Sequence, residues 1–282
     1  MGELKIIGFS DKDIPPPNDP KWDDDNGIYR IVYGQPTVRI PFIKETGLKF
    51  MSLKNIMKSR INITNKHNHD FNGASLENKI LYTGLVTSDA IIGNPEEGDV
   101  KIIHNNPLVY NINQKSNFVS WAKQDPDSCK NISEEEINET DRKHPSGYLE
   151  ISKEEYKKID GLVIKLKDLN NEKYKKSLTS PKLIEKFFDY LLEGDRNILK
   201  EYVKMQQIFK PDFEKIPITL HDEHGLVLMS IAGIRWREGL ELSSITPSHL
   251  IYLSSNLATQ HTEESKKKDL ESKKDSILGL FG

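Results

Sequence analysis

Two short histidine clusters are the residues in this 282-residue chain whose types and spacing could do metal chemistry. Segment 67–70 reads His-Asn-His-Asp, and alternate histidines in a strand or loop can direct two imidazoles at one metal ion. Segment 221–224 reads His-Asp-Glu-His, which offers metal ligands or an acid–base pair. If the two clusters converge in space, they would form the site of a metal-dependent hydrolase with the ligands His67, His69, His221 and His224.

Both clusters also fit a plainer interpretation as polar loops. Segment 67–70 resembles the opening of the metallo-β-lactamase pattern, His-x-His-x-Asp-His, but Phe71 and Asn72 stand where that family has its Asp and second-motif His. Segment 221–224 lies before Gly225 in a predicted tight turn, and its spacing is not the His-Glu-x-x-His of helical zinc sites. We therefore predict no catalytic residue, no bound metal and no cofactor, and keep the hydrolase as an alternative.

Composition and charge limit the classes of partner and compartment. Lys and Arg number 40 against 43 Asp and Glu, so the formal charge of -3 does not predict a basic nucleic-acid surface. Lys54, Lys58 and Arg60 fit a solvated helix face, which leaves nucleic-acid contact open without indicating it. The single cysteine, Cys129, excludes an internal disulfide. No signal peptide or run of about 18 apolar residues is present, so we expect a cytoplasmic or virion location without membrane contact.

The first part of the chain, 1–124, is predicted to be a β-rich domain of antiparallel strands. A Pro-rich loop covers 11–27, and Pro41 favours an edge position for its strand. The β-branched and aromatic content of several runs, separated by Gly, Pro and Asn, supports this prediction. The runs are Ile28–Tyr33, Thr37–Ile43, Lys79–Val86, Val100–Ile103 and Leu108–Ile112.

The second part is predicted to be an α+β domain over 148–258, so the fold class as a whole is α+β. The polar and acidic segment 125–147 reads as a linker or insertion. Capping signals and apolar stripes predict a short helix after Ser152 and a helical hairpin over 180–209. A β-hairpin is predicted around the turn at 221–225, with strands Ile216–Leu220 and Leu226–Ile234. Thr246 is predicted to cap a further helix.

The last segment, 259–282, combines a charged stem with an apolar tip. The stem cannot bury enough apolar surface to offset its ordering entropy, so we expect a flexible tail. The tip, Ile-Leu-Gly-Leu-Phe over 277–281, resembles the bacterial sliding-clamp-binding pentapeptide Gln-Leu-Ser/Asp-Leu-Phe at Leu278, Leu280 and Phe281. It departs from that pattern at Ile277 and Gly279. The resemblance implies that these three apolar residues bind a partner, and the alternative is that the tip folds back on its own domain.

These features favour a structural or adaptor subunit of a large assembly over an enzyme. A phosphate-binding loop, a dinucleotide fingerprint and a nucleophile-elbow pattern are all absent from the sequence. Polar segments at both ends and in the middle suit contacts with other subunits, as in a bacteriophage virion, neck or tail component. A DNA replication or transcription accessory protein that docks on a sliding clamp through its tip is the first alternative, and the metal-dependent hydrolase is the second.

Overall fold

Helices cover both faces of a large mixed sheet, which confirms the predicted α+β class. The computed structural model describes residues 21–24, 27–34, 36–66, 80–94, 96–112, 118–119, 148–172, 175–220, 225–234, 244–248 and 255–268. Within these residues, no helix has both the length and the apolar composition that crossing a membrane requires.

The elements follow one another along the chain with several strands of only a few residues. The strands are β1 (Lys21–Asp24), β2 (Gly27–Tyr33), β3 (Lys49–Phe50), β4 (Leu85–Asn94), β5 (Asp99–Ile103), β6 (Phe118–Val119), β7 (Tyr148–Leu149), β8 (Leu162–Lys165), β9 (Asn170–Glu172), β10 (Lys175–Ser177), β11 (Thr219–Leu220), β12 (Gly225–Ile231), β13 (Ile245–Ser248) and β14 (Asn256–Gln260). The helices are α1 (Pro36–Glu45), α2 (Leu53–Lys66), α3 (Lys153–Lys158), α4 (Pro181–Leu191) and α5 (Arg196–Phe209), and residues 80–82 and 263–268 are also helical. Short 3-10 helices form at Pro107–Asn111 and Leu166–Asp168.

Strand β4 is the centre of the sheet and is buried along its whole length. It pairs antiparallel with β12 on one side and with β5 on the other, and β8 adds to β5. It also pairs in parallel with β14, which makes the sheet mixed. The main path runs β1-β2-β14-β4-β12-β7-β6, while β9, β10 and β11 form a separate small sheet.

Apolar side chains line both faces of this sheet, because successive residues of a strand point to opposite sides. In β12, Leu226 and Leu228 join one apolar cluster, and Val227 and Met229 join the other. The first cluster lies against α1, α3 and the 3-10 helix Pro107–Asn111, and the second lies against α2, α4 and α5. A strand covered on both faces reads as a continuous apolar run, as β12 does.

Several local predictions are confirmed because their signals are short-range. Helix α3 begins with the predicted capping box, in which Ser152 Oγ accepts from Glu155 N at 3.3 Å and Glu155 Oε2 accepts from Ser152 N at 3.0 Å. Pro181 is the first residue of α4, and the turn 192–195 leads into α5. The predicted strands at β2 and β5 also form.

Two runs that were predicted as strands are helical instead, and a third, Lys79–Val86, is helical over 80–82 and joins a strand only at Leu85. Thr37–Ile43 lies inside α1, with Pro41 in the helix interior, and Leu108–Ile112 coincides with the 3-10 helix Pro107–Asn111. A proline begins each helix, where its missing N–H would have had no intrahelical partner. Asn106 Oδ1 also caps the 3-10 helix by accepting from Leu108 N at 2.9 Å. The β-branched residues in both runs reflect burial against the sheet rather than strand pairing.

The predicted β-hairpin does not form between its two strands. Strand β11 pairs with β10, whereas β12 pairs with β4, β7 and β13. Where a helix was predicted to begin after Thr246, residues up to Ser248 belong to the strand β13, in which Ile245 is fully buried, and the rest of the predicted helix, 249–253, lies outside the described residues. Ser and Thr followed by Pro begin strands as well as helices, and Pro247 is tolerated where a strand has a solvent-side edge.

Strands from both sides of segment 125–147 pair with each other. Strand β12 lies beside β4, and β14 lies between β2 and β4, so residues before and after that segment share one hydrogen-bonded sheet. Segment 125–147 itself lies outside the described residues. The predicted Pro-rich loop over 11–27 ends earlier than expected, because Lys21–Asp24 forms β1 and Gly27 begins β2.

Candidate functional site

The residues that the sequence singled out for chemistry or binding lie outside the described part of the chain. These are His67, His69, His221 and His224, together with Leu278, Leu280 and Phe281. The structure therefore neither joins nor separates the two histidine clusters, and the proposed roles stay predictions. Over the ranges that the structure does describe, no three His, Cys, Asp or Glu side chains are placed to hold a metal ion.

A different group of polar residues converges beside β4, and we name it the His104 cluster. Its members come from four parts of the fold: the first turn of α2, strand β4, the end of β5, and the turn after α4. They form a connected chain of hydrogen bonds and ion pairs. The members are Lys54, Asp89, His104, Asn105 and Glu193.

Asp89 is the innermost member of the cluster, and its side chain is 0% exposed. Its Oδ2 accepts from the backbone N–H of Leu53 at 2.6 Å, and Leu53 is the first residue of α2. The unpaired N–H groups and the macrodipole at a helix N-terminus both favour a carboxylate at this position. Asp89 Oδ1 lies 2.7 Å from Nδ1 of His104, so both carboxylate oxygens have a defined partner.

His104 follows β5 directly, and its ring orientation is fixed from two sides. Nδ1 donates to Asp89, which directs Nε2 away from the core. The ring of Tyr190 packs edge-on, with centroids 6.3 Å apart and an interplanar angle of 73°. With 9% of its side chain exposed, His104 is held at the boundary between the core and the solvent.

The Nε2 atom of His104 has one partner for each of its protonation states. Asn105 Nδ2 lies 2.8 Å away and can donate to the lone pair of the neutral ring. Glu193 Oε1 lies 3.2 Å away and can accept from the protonated ring. Ser88 Oγ donates to Asn105 Oδ1 at 3.4 Å, which supports the orientation of the amide. The surroundings therefore accommodate both the loss and the gain of a proton at Nε2.

The charges around His104 raise its pKa. Burial acts to lower the pKa, but the hydrogen bond and the charge of Asp89 outweigh it, and Glu193 adds to the increase. The pKa of Glu193 is lowered, first by its hydrogen bond from Lys54 and then by His104. Lys54 Nζ lies 2.5 Å from Glu193 Oε2, so this carboxylate bridges a lysine and a histidine.

Backbone strain coincides with the same cluster. Asn105 (φ 49°) and Glu193 (φ 52°) are the described non-glycine residues with positive φ. Asparagine tolerates this region, whereas glutamate has no such preference. Both side chains contact Nε2 of His104, so the two residues with strained backbone are the two that supply its hydrogen-bond partners.

Glu193 occupies the position after a helix where glycine is strongly favoured. The turn after α4 is a Schellman motif, in which Gly194 N donates to Asp189 O at 2.8 Å and Glu193 N donates to Tyr190 O at 3.3 Å. A residue with a Cβ in this left-handed conformation costs about 1–2 kcal/mol. Because the Glu193 side chain is 54% exposed, its ion pair with Lys54 stabilises the fold by only about 0.2–1 kcal/mol. Stability alone therefore does not account for a glutamate at this position.

A second polar group, on the opposite face of the sheet from α2, holds α3 in place. Tyr156 Oη and Lys165 Nζ donate to the two oxygens of Asp99, at 2.5 and 2.8 Å. Lys101 Nζ donates to the carbonyls of Tyr156 and Ile159 at 2.6 and 2.7 Å, at the end of α3. Burial raises the pKa of Tyr156 and lowers the pKa of Lys101. Because these bonds join α3 to β5 and β8, we interpret this group as structural.

The sequence prediction missed the His104 cluster, although one signal for it is visible. Asp89 is the only charged residue in the apolar run that forms β4, and an isolated carboxylate in a buried strand requires a partner. The partner could not be identified from sequence, because His104 and Glu193 lie 15 and 104 positions further along the chain.

Comparisons with protein-family models, with curated protein sequences and with solved structures gave no match. The site is therefore interpreted from its own geometry. That geometry defines a mixed α+β protein in which a buried aspartate orients a histidine at the end of a central strand pair.

Proposed function

We propose that this protein is an enzyme in which His104 is the general acid–base group. The observation that carries the proposal is the 2.7 Å contact between His104 Nδ1 and the fully buried carboxylate of Asp89. This contact fixes the tautomer of the ring and stabilises its protonated form, while Nε2 is directed to the rim of the protein. The pKa of His104 is raised, so the surroundings of the ring favour its protonated form.

We propose hydrolysis as the reaction, because an oriented histidine can activate water and the neighbouring lysine can stabilise negative charge. Nε2 takes a proton from water as the water oxygen forms a bond to the electrophilic atom of the substrate. The bond to the leaving group then breaks, and the protonated ring returns its proton to that group. Asp89 stabilises the imidazolium between these steps, and the ammonium group of Lys54 stabilises negative charge on the substrate.

Substrate profiling with a histidine variant tests this proposal. Wild-type protein and His104→Gln are incubated with a metabolite extract, and mass spectrometry identifies the compounds that are consumed. We expect at least one compound to be consumed by the wild type and not by His104→Gln, because glutamine cannot exchange a proton at this position.

The matched control is His261→Gln, which changes a histidine that bonds to Ser265 Oγ at 3.3 Å, outside the His104 cluster. This variant should consume the same compound as the wild type. Identical profiles for the wild type and His104→Gln, with both variants folded by circular dichroism, would contradict the proposal.

The adaptor function predicted from the sequence is a second proposal, which the anchoring of residues 263–268 favours. Thr262 Oγ1 donates to the carbonyl of Gly47 at 2.6 Å, and Lys268 Nζ donates to the carbonyl of Glu45 at 2.7 Å. Thr262 and Ser265 also cap each other, with Ser265 N donating to Thr262 Oγ1 at 3.1 Å. These bonds fix the point on the fold from which segment 269–282 begins. In this proposal the tip residues dock on another subunit of a cytoplasmic or virion assembly.

A tip variant tests the adaptor proposal. The change is Leu278→Ala, Leu280→Ala and Phe281→Ala together, compared with a stem control, Lys273→Ala with Lys274→Ala. Affinity purification from the native source should recover partner proteins with the wild type and the stem control, and lose them with the tip variant, because the apolar contacts are removed. Recovery of a sliding clamp would select the DNA-accessory alternative. Equal recovery with all variants would contradict docking through the tip.

A further inference from the structure

We infer that the His104 cluster binds an oxyanion group of its substrate, a carboxylate or a phosphate, between Lys54 and His104 in place of the Glu193 carboxylate. The inference rests on the proposed function, because it names the class of substrate that the same histidine would act on. It concerns binding, however, and binding can be measured without turnover.

The position of the Glu193 carboxylate defines the site. Its Oε1 lies 3.2 Å from His104 Nε2 and its Oε2 lies 2.5 Å from Lys54 Nζ. Two nitrogen donors on different elements thus bond to the two oxygens of one carboxylate, which is the pattern by which proteins recognise carboxylate and phosphate groups. One turn further along α2, Lys58 lies 3.9 Å from the carboxylate of Asp195 and adds a second ammonium group near the same turn.

Glu193 has the properties of an occupant that a ligand can displace. Its side chain is 54% exposed, whereas those of Lys54 and His104 are 16% and 9% exposed. It lies on the turn after α4 rather than within a helix or strand, and its backbone holds a conformation that suits glycine. The two nitrogen donors are held on α2 and at the end of β5, whereas the carboxylate is attached to a turn residue with a positive φ.

Displacement would couple substrate binding to the chemistry. With Glu193 in place, its carboxylate shields Nε2 from solvent and competes with any anion. An entering oxyanion of similar shape would take over the bond from Lys54 and move the Glu193 carboxylate away from Nε2, so that Nε2 faces the rest of the substrate. Substrates without a negative group would gain nothing from replacing Glu193, so the cluster selects anionic compounds.

Anion titration followed by nuclear magnetic resonance tests the inference. The imidazole signal of His104 is monitored at about pH 6, below the ordinary histidine pKa of about 6.5, during addition of sodium phosphate or sodium succinate at constant ionic strength. We expect Glu193→Gln to bind at least one of these anions about tenfold more tightly than the wild type, because the internal competitor is removed. The control is Glu185→Gln, an exposed carboxylate on α4 that pairs with Arg196, and it should bind as the wild type does.

Two further variants keep the outcome decisive. Glu193→Gly removes the carboxylate and also relieves the backbone, so it should bind as tightly as Glu193→Gln even if the latter folds poorly. Lys54→Gln in either background should lose the binding. The inference is overturned if neither Glu193 variant shows a saturable shift of the His104 signal, or if both bind no better than the wild type. Consumption that depends on His104 without anion binding would overturn this inference alone, whereas anion binding without such consumption would overturn the proposed enzyme alone.

Discussion

Replacing Arg60 with methionine is expected to lower the free energy of unfolding by about 3–5 kcal/mol. The guanidinium is fully buried and is among the largest buried side chains in the described core. Methionine fills similar volume but offers no donor, so each acceptor that Arg60 serves would lose a hydrogen bond.

The contacts of Arg60 explain the size of this effect. Its Nε donates to the carbonyl of Ile80 at 2.9 Å, and its terminal nitrogens donate to the carbonyls of Thr83 at 2.9 Å and Ala232 at 2.7 Å. One terminal nitrogen also donates to the hydroxyl of Tyr202 at 2.8 Å. A single side chain of α2 thus joins segment 80–83, the chain after β12, and α5.

Gly233 allows these segments to approach closely enough for Arg60 to reach them all. A Cβ at this position would collide with the backbone carbonyl of Tyr82 and would lie 2.9 Å from Thr83 N. Next to it, Ile234 N donates to the carbonyl of Leu81 at 2.6 Å. Gly233 therefore lets the chain after β12 approach segment 80–83, and Arg60 joins the two by hydrogen bonds.

The matched control is Arg196→Met, measured by chemical denaturation alongside Arg60→Met. Arg196 makes ion pairs with Glu185 and Asp189, but its side chain is 59% exposed. Water screens exposed pairs, so we expect a much smaller loss of stability than for Arg60→Met. Similar losses for the two variants would contradict the role of Arg60 as a buried cross-link.

Arg60 also shows where sequence reasoning reaches its limit. The sequence favours a solvated helix face for Lys54, Lys58 and Arg60, and the helix forms as α2. The lysines are partly or largely exposed at 16% and 46%, but Arg60 is buried, because its acceptors come from segments more than one hundred positions away as well as from nearby ones. Local patterns predict the helices α3, α4 and α5, although the predicted side-chain cap forms at α3 and not at Ser180 before α4 or Asp195 before α5. They do not predict which charged residue receives buried partners from elsewhere in the chain.

The same distinction applies to the sheet and to the site. The strands β2 and β5 follow from composition, but the pairing of β12 with β4 depends on contacts between distant segments. For α1, the β-branched residues of Thr37–Ile43 indicate burial correctly and the type of element wrongly. The His104 cluster combines residues from four parts of the fold that are far apart in the chain, so it contains no motif that spacing could reveal.

Replacing Asp89 with asparagine is expected to reverse the pH dependence that His104 gives to stability. In the wild type the pKa of His104 is raised, so its stabilising contribution is present below about pH 6.5 and is lost as the pH rises through the folded pKa. Asparagine keeps the shape of the side chain but removes its charge. Burial, which is the largest single influence on this pKa and acts to lower it, would then prevail.

With a lowered pKa, the sign of the linkage changes. The folded state would bind the proton of His104 less readily than the unfolded state, so stability would increase as the pH rises towards about 6.5. The rate at which the variant consumes the compound identified with His104→Gln should also fall, by about 10²–10⁴-fold, because the histidine loses the partner that fixes its tautomer and stabilises its charged form.

The measurement is the free energy of unfolding between about pH 5 and about pH 9. His104→Gln is introduced into the wild type and into Asp89→Asn, and the difference that it makes in each background is compared. The contributions of other titrating groups cancel in these differences. The remaining carboxylate near the ring, Glu193, provides the control. Its side chain is 54% exposed and contributes less to the pKa of His104 than Asp89 does, so Glu193→Gln should retain the wild-type sign of the pH dependence. If Glu193→Gln reversed the sign and Asp89→Asn did not, the exposed carboxylate would be the one that sets the charge of His104. The buried Asp89–His104 pair would then have no special role in the proposed chemistry.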